Sequence, residues 1–474
     1  MIRFQSRLLS VMEAMKKEKV LLLNPPGDKL YIRDYYCSFS SKADYYWPPQ
    51  DLIVLSGILD QEFEVQVVDA IINRIPEKEC LDIILDSDFK AVIFTTGTST
   101  MSSDLALMEK VKKKNEIKII ASAGIMKFIG LEVLKKYGFL DAVSTDFTEP
   151  DIVTYLKGEE NLPLKGLIYR KNGRFVESQD RLSTRFKVPV PRHELFDFPK
   201  YRIPIARRFP FTVVVTSLGC PYHCGFCSAG AYGYRLREVD NVIEELRYLS
   251  KLGVKEILFQ DPTFTVNTKR VVELCQKIIQ SNLEFTWSCN ADIKSLNTEK
   301  IKFMKQAGCH TVSVGIESGD DDILKKYSKM ISVEQIKEAV NMLNEYKIKI
   351  LGYFIIGLPG EDRESILRTI DLAKQLDIDI ASFAIATPDL GTRLRKEALE
   401  KKWISIGVEN FDSTDFPVLE TEKLSKEEVW RLKRKAVKEF YLRPSYLIKR
   451  LFRIRNFRDI KIAVSNAISL FLKS

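Results

Sequence analysis

The sequence predicts an α/β protein made of two parallel-sheet units and a helical extension. Three observations carry that prediction. Strand and helix patterns alternate from Lys19 to about Gly158. A second alternation of even spacing begins at Phe211. The stretch between them is rich in Pro and Arg and lacks a clear period. The expected boundaries are 1–158 for the first unit, 159–205 for a linker, 206–400 for the second unit and 401–474 for a basic helical region.

In the first unit, VLLLNPPG at 20–27 reads as a buried strand ending in a Pro/Gly loop, and DLIVLSGILD at 51–60 as a helix. Further strands are EVQVVDA (64–70), AVIFTTGTS (91–99), IKIIASAG (117–124) and DAVSTD (141–146), with DLALMEKVKKK helical between the third and fourth. This spacing implies a doubly wound parallel sheet, which binds ligands beyond the carboxyl ends of its strands. Asn24, Pro25, Thr96, Gly97, Thr98, Ser122, Gly124 and Thr145 fall at those ends. No G-x-G-x-x-G fingerprint is present, which disfavours NAD or FAD. In the linker, LIYRKNGRFVES reads as a hairpin turning on Asn172–Gly173.

The strands of the second unit are FTVVVTSLG, KEILFQD, FTWSCN, TVSVGIES, KILGYFIIG and ASFAIAT. Helices lie at 239–252, 268–281, 298–307, 332–346 and 362–376. Six evenly spaced strands imply a partial (β/α)6 barrel with its working residues on the loops after the strands.

Composition narrows the class. The chain is 45% hydrophobic and 29% charged, as in globular proteins. It has no apolar run of about 18 residues, and its start is charged and amphipathic without a signal core, so a cytoplasmic protein is expected. The net charge of +9 is concentrated between Arg431 and Lys473. No nucleic-acid-binding motif accompanies that tail, so no specific nucleic acid is expected as a partner. Its Arg/Lys alternation with Leu, Ile and Phe suits packing against the second unit. Peripheral contact with an anionic membrane is the minority reading.

Eight cysteines in 474 residues do not make a disulfide scaffold. Cys220, Cys224 and Cys227 are grouped as C-x3-C-x2-C directly after the first strand of the second unit, and the other five are scattered. Three thiolates on one loop can hold three irons of a cubane cluster and leave the fourth open, whereas fully ligated clusters usually take four cysteines. Structural zinc also wants four ligands, and His223 would strain to join its neighbour Cys224 on one metal.

With Phe226 before the third cysteine, this motif resembles that of the radical S-adenosylmethionine (radical SAM) superfamily. The resemblance spans roughly 206–400 through FQDPTF, WSCNAD, GCHTVSVGIESG, FIIGLPGED and ATPDLGT. It implies a TIM-type partial barrel and a 4Fe-4S cluster on Cys220, Cys224 and Cys227. The cluster would cleave S-adenosylmethionine reductively to a 5′-deoxyadenosyl radical. It also implies S-adenosylmethionine contacts from Phe226, Asp261, Asn290, Glu317, Ser318, Ile355 and Gly357. Asp261 would accept from the methionine amine, and Ile355 and Gly357 would lie along adenine. Arg235 and Arg237 are read either as partners of a carboxylate or as exposed residues at a helix start. The sequence departs from the family pattern at Asn290–Ala291–Asp292, where an Arg is common, and at Leu390.

A preceding sheet with VLLLNPPG, WPPQDL and VVDA is similar to the Rossmann-like domain of the cobalamin-binding subclass. That similarity implies a corrinoid held by the eight strand-end residues named above. The histidine-donating D-x-H-x-x-G loop is missing, and the only histidines are His193, His223 and His310, all outside the first unit. Cobalamin would therefore be base-off without imidazole. His193 and His310 read as structural. Tyr31, Tyr35, Tyr36, Tyr45, Tyr46 and Trp47 crowd one loop, as a lid over a flat cofactor or as interdomain packing.

The leading expectation is a methyltransferase acting on an unactivated carbon through methylcobalamin. It would take a small-molecule substrate such as a lipid or tetrapyrrole, and electrons from a ferredoxin or flavodoxin. The alternatives are an oxidative cyclase or ring-rearranging enzyme with the same cofactors, and a non-enzymatic metal-binding or polyanion-binding protein.

Overall fold

The computed structural model describes residues 17–41, 45–159, 163–178, 183–404, 412 and 414–451. The amphipathic start and most of the basic tail lie outside them. Strands are β1 Lys19–Asn24, β2 Tyr31–Arg33, β3 Ser38–Ser40, β4 Glu64–Asp69, β5 Phe89–Thr95, β6 Lys118–Ser122, β7 Ala142–Ser144, β8 Leu167–Lys171, β9 Arg174–Glu177 and β10 Arg185–Phe186. The second half adds β11 Phe211–Val214, β12 Ser217–Leu218, β13 Arg235–Arg237, β14 Glu256–Phe259, β15 Thr286–Ala291, β16 Cys309–Glu317, β17 Lys349–Ile356 and β18 Ile380–Ile385.

The first sheet has the order β4-β1-β5-β6-β7-β8-β9. Its first five strands are parallel, and β1 pairs with β4 on one side and β5 on the other, so the winding reverses at β1. The strand shows why an uninterrupted apolar run folds this way. Val20 and Leu22 enter the core on one face, Leu21 and Leu23 the core on the other, and all four are fully buried.

The expected hairpin forms, with Asn172 and Gly173 both at positive φ. It is no free-standing linker element, however. β8 pairs antiparallel with β7 and extends the first sheet past residue 158. Further on, β10 pairs with β13 of the second half. The linker reading failed because a short polar hairpin gives no local sign of the edge it joins.

The second sheet is all parallel and in sequential order, β11-β14-β15-β16-β17-β18. Most of its helices start where side-chain caps occur in sequence. Asn267, Asn297 and Ser425 accept from the third residue beyond, while Ser332 and Asp362 form capping boxes with Gln335 and Ser365. Such caps explain why four of the expected helices, at 268–281, 298–307, 332–346 and 362–376, agree with the structure to within about a residue.

The two sheets share one core. Phe211, Val213, Leu218, Tyr232 and Leu258 of the second half pack in the same apolar cluster as Val20, Leu55 and Ile93 of the first. A clamp reinforces the junction: Arg235, 5% exposed, donates through one guanidinium nitrogen to Asp146 and through another to Glu149 at 2.6 Å. Arg237 is also buried and pairs with Glu245. Neither arginine is the exposed helix-start residue that the sequence allowed. His193 is held between Thr212 and Glu245, and His310 between Thr311 and Glu256. Among the described residues no helix is long and apolar enough to cross a membrane.

Arg235→Ala leaves Asp146 and Glu149 buried without their cation and is expected to lower unfolding stability by ~3–5 kcal/mol in denaturant titrations. Arg235→Lys keeps the charge but not the fork, and should recover only part of that loss.

Candidate active site

The cysteines lie on a loop closed at its neck by Cys220 N–H donating to the Ala229 carbonyl (3.1 Å), with Cys227 N–H donating to Cys224 (3.1 Å). Gly219 makes the neck possible. Its φ is +64°, and a Cβ there would lie 1.9 Å from the Gly233 carbonyl oxygen. Asp261 braces the approach to the loop: it accepts from the amides of Thr216 (2.7 Å) and Ser217 (2.8 Å) and from the Thr216 hydroxyl (2.5 Å). Behind it, Arg270 donates to the carbonyls of Thr216 and Arg237.

The three thiols are near enough that Cys220 acts electrostatically on both others. Burial pushes Cys224 up to about 11 and Cys227 up to about 12, and raises Cys220. Free thiols are therefore protonated at neutral pH, and loading a metal cluster must release protons. His223, beside them, is exposed. Three cysteines on one braced loop supply the donor type and number of an open-iron cluster, while among the described residues no three His, Cys, Asp or Glu side chains converge on one metal ion.

Three charged side chains complete the rim. Lys329 Nζ lies 3.1 Å from Glu317 Oε1 and 3.9 Å from Asp292 Oδ2, and its side chain is 8% exposed. Asp292 Oδ1 is buried without a hydrogen-bond partner among the described residues. Glu317 is held at φ +66°, at the end of β16. An ion pair flanked by an orphaned carboxylate oxygen fits a zwitterion, such as the methionyl end of S-adenosylmethionine. Sequence reasoning missed Lys329 as a site residue. It lies twelve positions beyond Glu317 in a loop, where a lysine reads as solvated, and only folding brings it to the cysteines.

The other expected S-adenosylmethionine contacts divide. Phe226 and Ile355 pack half-buried on one small cluster that includes Tyr327 and Leu358. Asn290 stands at the mouth and donates to the Asp261 carbonyl at 2.9 Å. Asp261 and Ser318 are placed differently from expectation. Asp261 is fully buried and committed to the cysteine loop, and Ser318 is fully buried against Thr369 and Glu361. Both face backward because each sits where a strand end needs bracing. Gly357, at φ +88°, is covered by Val429, 2.7 Å from where a Cβ would stand.

In the first unit, Arg33 fills the crevice where the winding reverses. It pairs with Asp104 and donates to Asn24 Oδ1 and the Pro25 carbonyl. Asn24 and Pro25 are thus engaged internally, as are Ser122 by Asp51 and Thr145 by Tyr35. Thr96, Gly97, Thr98 and Gly124 do line a small cavity between the two units. Its opposite wall comes from the second unit, at Ser228, Tyr232, Thr387 and Asp389. Segment 34–38 lies over the two glycines, with Ser38 Cβ 2.2 Å from a Cβ at Gly97 and the Tyr35 carbonyl oxygen 2.1 Å from one at Gly124. Those glycines seat the segment. Of the crowded aromatics, Tyr35 and Tyr36 pack edge-on with Phe147 and Tyr232, and Tyr36 Oη accepts from Gly219 N–H. They tie the first sheet to the cysteine loop.

Residues 214–373 match the Radical SAM superfamily. An uncharacterized methyltransferase of Pyrococcus horikoshii is 34% identical, across 97% of this chain and 100% of its own length. The anaerobic magnesium-protoporphyrin IX monomethyl ester cyclase of Rubrivivax gelatinosus is 25% identical, across 88% of this chain and 78% of its own. Among solved structures, the cobalamin-dependent S-adenosylmethionine radical enzyme OxsB, with aqua-cobalamin and S-adenosylmethionine bound, aligns with a TM-score of 0.71 and 17% identity over 97% of this chain and 73% of its own. The methyltransferase TsrM of Kitasatospora setae, with cobalamin and a [4Fe-4S] cluster bound, aligns at 0.63 with 18% identity, over 81% and 78%. At these identities the solved structures speak to the fold.

Glu361 supplies a pH test of the site's scaffold. It accepts from the Gly357 and Leu358 amides (2.8 Å each), and burial pushes it up to about 8. A carboxyl raised in the fold stabilises below its unfolded value, and that stability is lost as pH rises toward the folded value. Between about pH 5 and 8 the native chain should lose up to about 1.4 kcal/mol per pH unit relative to Glu361→Gln. Parallel denaturation curves across that window would contradict this.

Proposed function

The chain belongs to the radical SAM superfamily, among its methyltransferases, and we propose that it is a cobalamin-dependent enzyme methylating an unactivated carbon. The observation that carries the reading is that one cavity joins the strand ends of the first sheet to the end of the cysteine loop. That is the juxtaposition a two-cofactor reaction needs, in a doubly wound unit followed by a partial barrel.

Cys220, Cys224 and Cys227 would hold the 4Fe-4S cluster, and Thr96, Gly97, Thr98 and Gly124 would border the corrinoid. When bound, the cluster supplies the electron that cleaves S-adenosylmethionine, and the corrinoid carries the methyl group. The chain's own residues position and shield the reactants. Asp261 and Arg270 fix the neck of the loop, while Lys329 takes the methionyl carboxylate, and Asp292 and Glu317 the amine. Phe226 and Ile355 flank the nucleoside. Tyr35, Tyr36 and Tyr232 keep water from the reacting centre.

The relatives' names include a tetrapyrrole cyclase and a hopanoid methylase, so a small-molecule substrate is proposed, with a ferredoxin-like or flavodoxin-like electron donor. Similarity to the cyclase over most of the chain keeps ring closure without methyl transfer as the second reading.

Anaerobic reconstitution with iron, sulfide and hydroxocobalamin, then reduction and S-adenosylmethionine, should yield 5′-deoxyadenosine and retained corrinoid. Each cysteine-to-alanine variant should lose the cluster absorbance and the nucleoside together. Lys329→Met should weaken S-adenosylmethionine binding about 10- to 100-fold, measured by titration of the loaded enzyme. Absence of 5′-deoxyadenosine would overturn the reading.

A further inference from the structure

One exposed face of the second unit takes no part in the proposed chemistry. The helix Lys426–Tyr441 packs Val429, Leu432, Ala436, Val437 and Phe440 into the core of that unit. Its other side presents Arg431, Arg434, Lys435 and Lys438 to solvent, spaced three or four residues apart and therefore on one stripe. The carboxylates beside the stripe are engaged: Glu428 pairs with Arg363, and Glu439 with Lys374 and Lys435. Glu427 is exposed in the first turn of the helix, one turn before Arg431.

The stripe runs into an apolar tip. Leu442 is 52% exposed, and Leu447 and Ile448 of the short helix Pro444–Leu451 are 50% and 56% exposed. Tyr441 ties this end to β18 by donating to the Ala381 carbonyl at 2.7 Å. From 452 to 474 the sequence then carries five Lys or Arg against one Asp, interspersed with Phe, Ile and Leu. Single exposed leucines are ordinary, but three large apolar side chains beside a cationic stripe mark an interaction surface.

We propose that this face docks on an anionic bilayer surface, with Arg431, Arg434 and Lys438 meeting headgroup phosphates and Leu442, Leu447 and Ile448 entering the interface. Charge complementarity and the apolar tip together select that occupant. A cationic stripe alone takes any polyanion, whereas an adjoining apolar tip gains only where acyl chains can receive it. The cations draw the chain to an anionic leaflet over about a Debye length, and the tip then holds it there. The geometry also sets what docking does. Val429 covers Gly357, just beyond the end of β17, while Tyr441 reaches Ala381 near the start of β18. The helix thus runs from the carboxyl ends of the strands toward their amino ends. The tip lies away from the cysteine loop, so docking holds the chain at the surface without closing the site. None of this rests on the cofactor assignments above.

The full chain is sedimented with vesicles of phosphatidylcholine, alone or with about 30% phosphatidylglycerol, and the bound fraction is read against lipid concentration. Anionic vesicles should bind about tenfold or more tightly than neutral ones. Raising salt from about 0.1 M to about 0.5 M should remove most of that difference. Arg431→Glu with Arg434→Glu and Lys438→Glu should weaken binding about tenfold or more. Leu447→Asp with Ile448→Asp should also weaken it, while any binding to a single-stranded oligonucleotide stays unchanged. All five side chains are exposed, and an unchanged melting transition verifies that the variants fold. Equal binding to the two vesicles, or full affinity in either variant, would overturn the inference. So would a parallel loss of oligonucleotide and vesicle binding in the Leu447 and Ile448 variant, which would make the face a general polyanion site. A dimer in sedimentation velocity that this variant dissociates would assign the tip to a second copy of the chain and overturn it as well. Vesicle binding needs no turnover, so absence of 5′-deoxyadenosine and absence of docking are separate failures.

Discussion

The two units meet through Arg235, and the site depends on that meeting. Its guanidinium leaves β13 and spans to Asp146 and Glu149 beyond β7, inside a region where none of the three side chains is more than 13% exposed. A buried ion of either sign is costly unless its partners are in place, so the clamp fixes register more than it adds net stability. The apolar cluster that runs through both units completes the joint. Together they set the loops after β5 and β6 opposite the cysteine loop and the end of β18.

Within that frame, buried carboxylates do much of the positioning. Asp261 holds the backbone leading to Cys220, and Glu361 holds the backbone after β17, each by accepting two amide hydrogens. Burial raises both acids, against the lowering effect of those bonds. Asp292 differs: its Oδ1, near Lys329, is buried without a hydrogen-bond partner among the described residues.

Legibility followed range. The cysteine triplet was readable because its spacing lies within eight residues on one loop. The strands of both sheets were readable because their apolar runs and cap residues are local. Asp261 and Ser318 were located correctly at strand ends, yet their side chains turn into the scaffold, because Thr216 and Thr369 reach them from other segments. Lys329 escaped notice as a site residue for the same reason: it is an ordinary charged loop residue until distant chain packs around it.

By itself the sequence determined two alternating strand–helix series, the loop that bears Cys220, Cys224 and Cys227, and the absence of a histidine from the first series. These follow from periodicity and short-range spacing, which the chain carries locally. Only the tertiary structure decided that the 167–178 hairpin extends the first sheet, that Arg33 fills its reversal point, and that Asp34 and Asp389 share a cavity with Gly97 and Gly124. Side-chain direction at a strand end is set by which partner offers a hydrogen bond or a counter-charge, and those partners lie tens to hundreds of residues away.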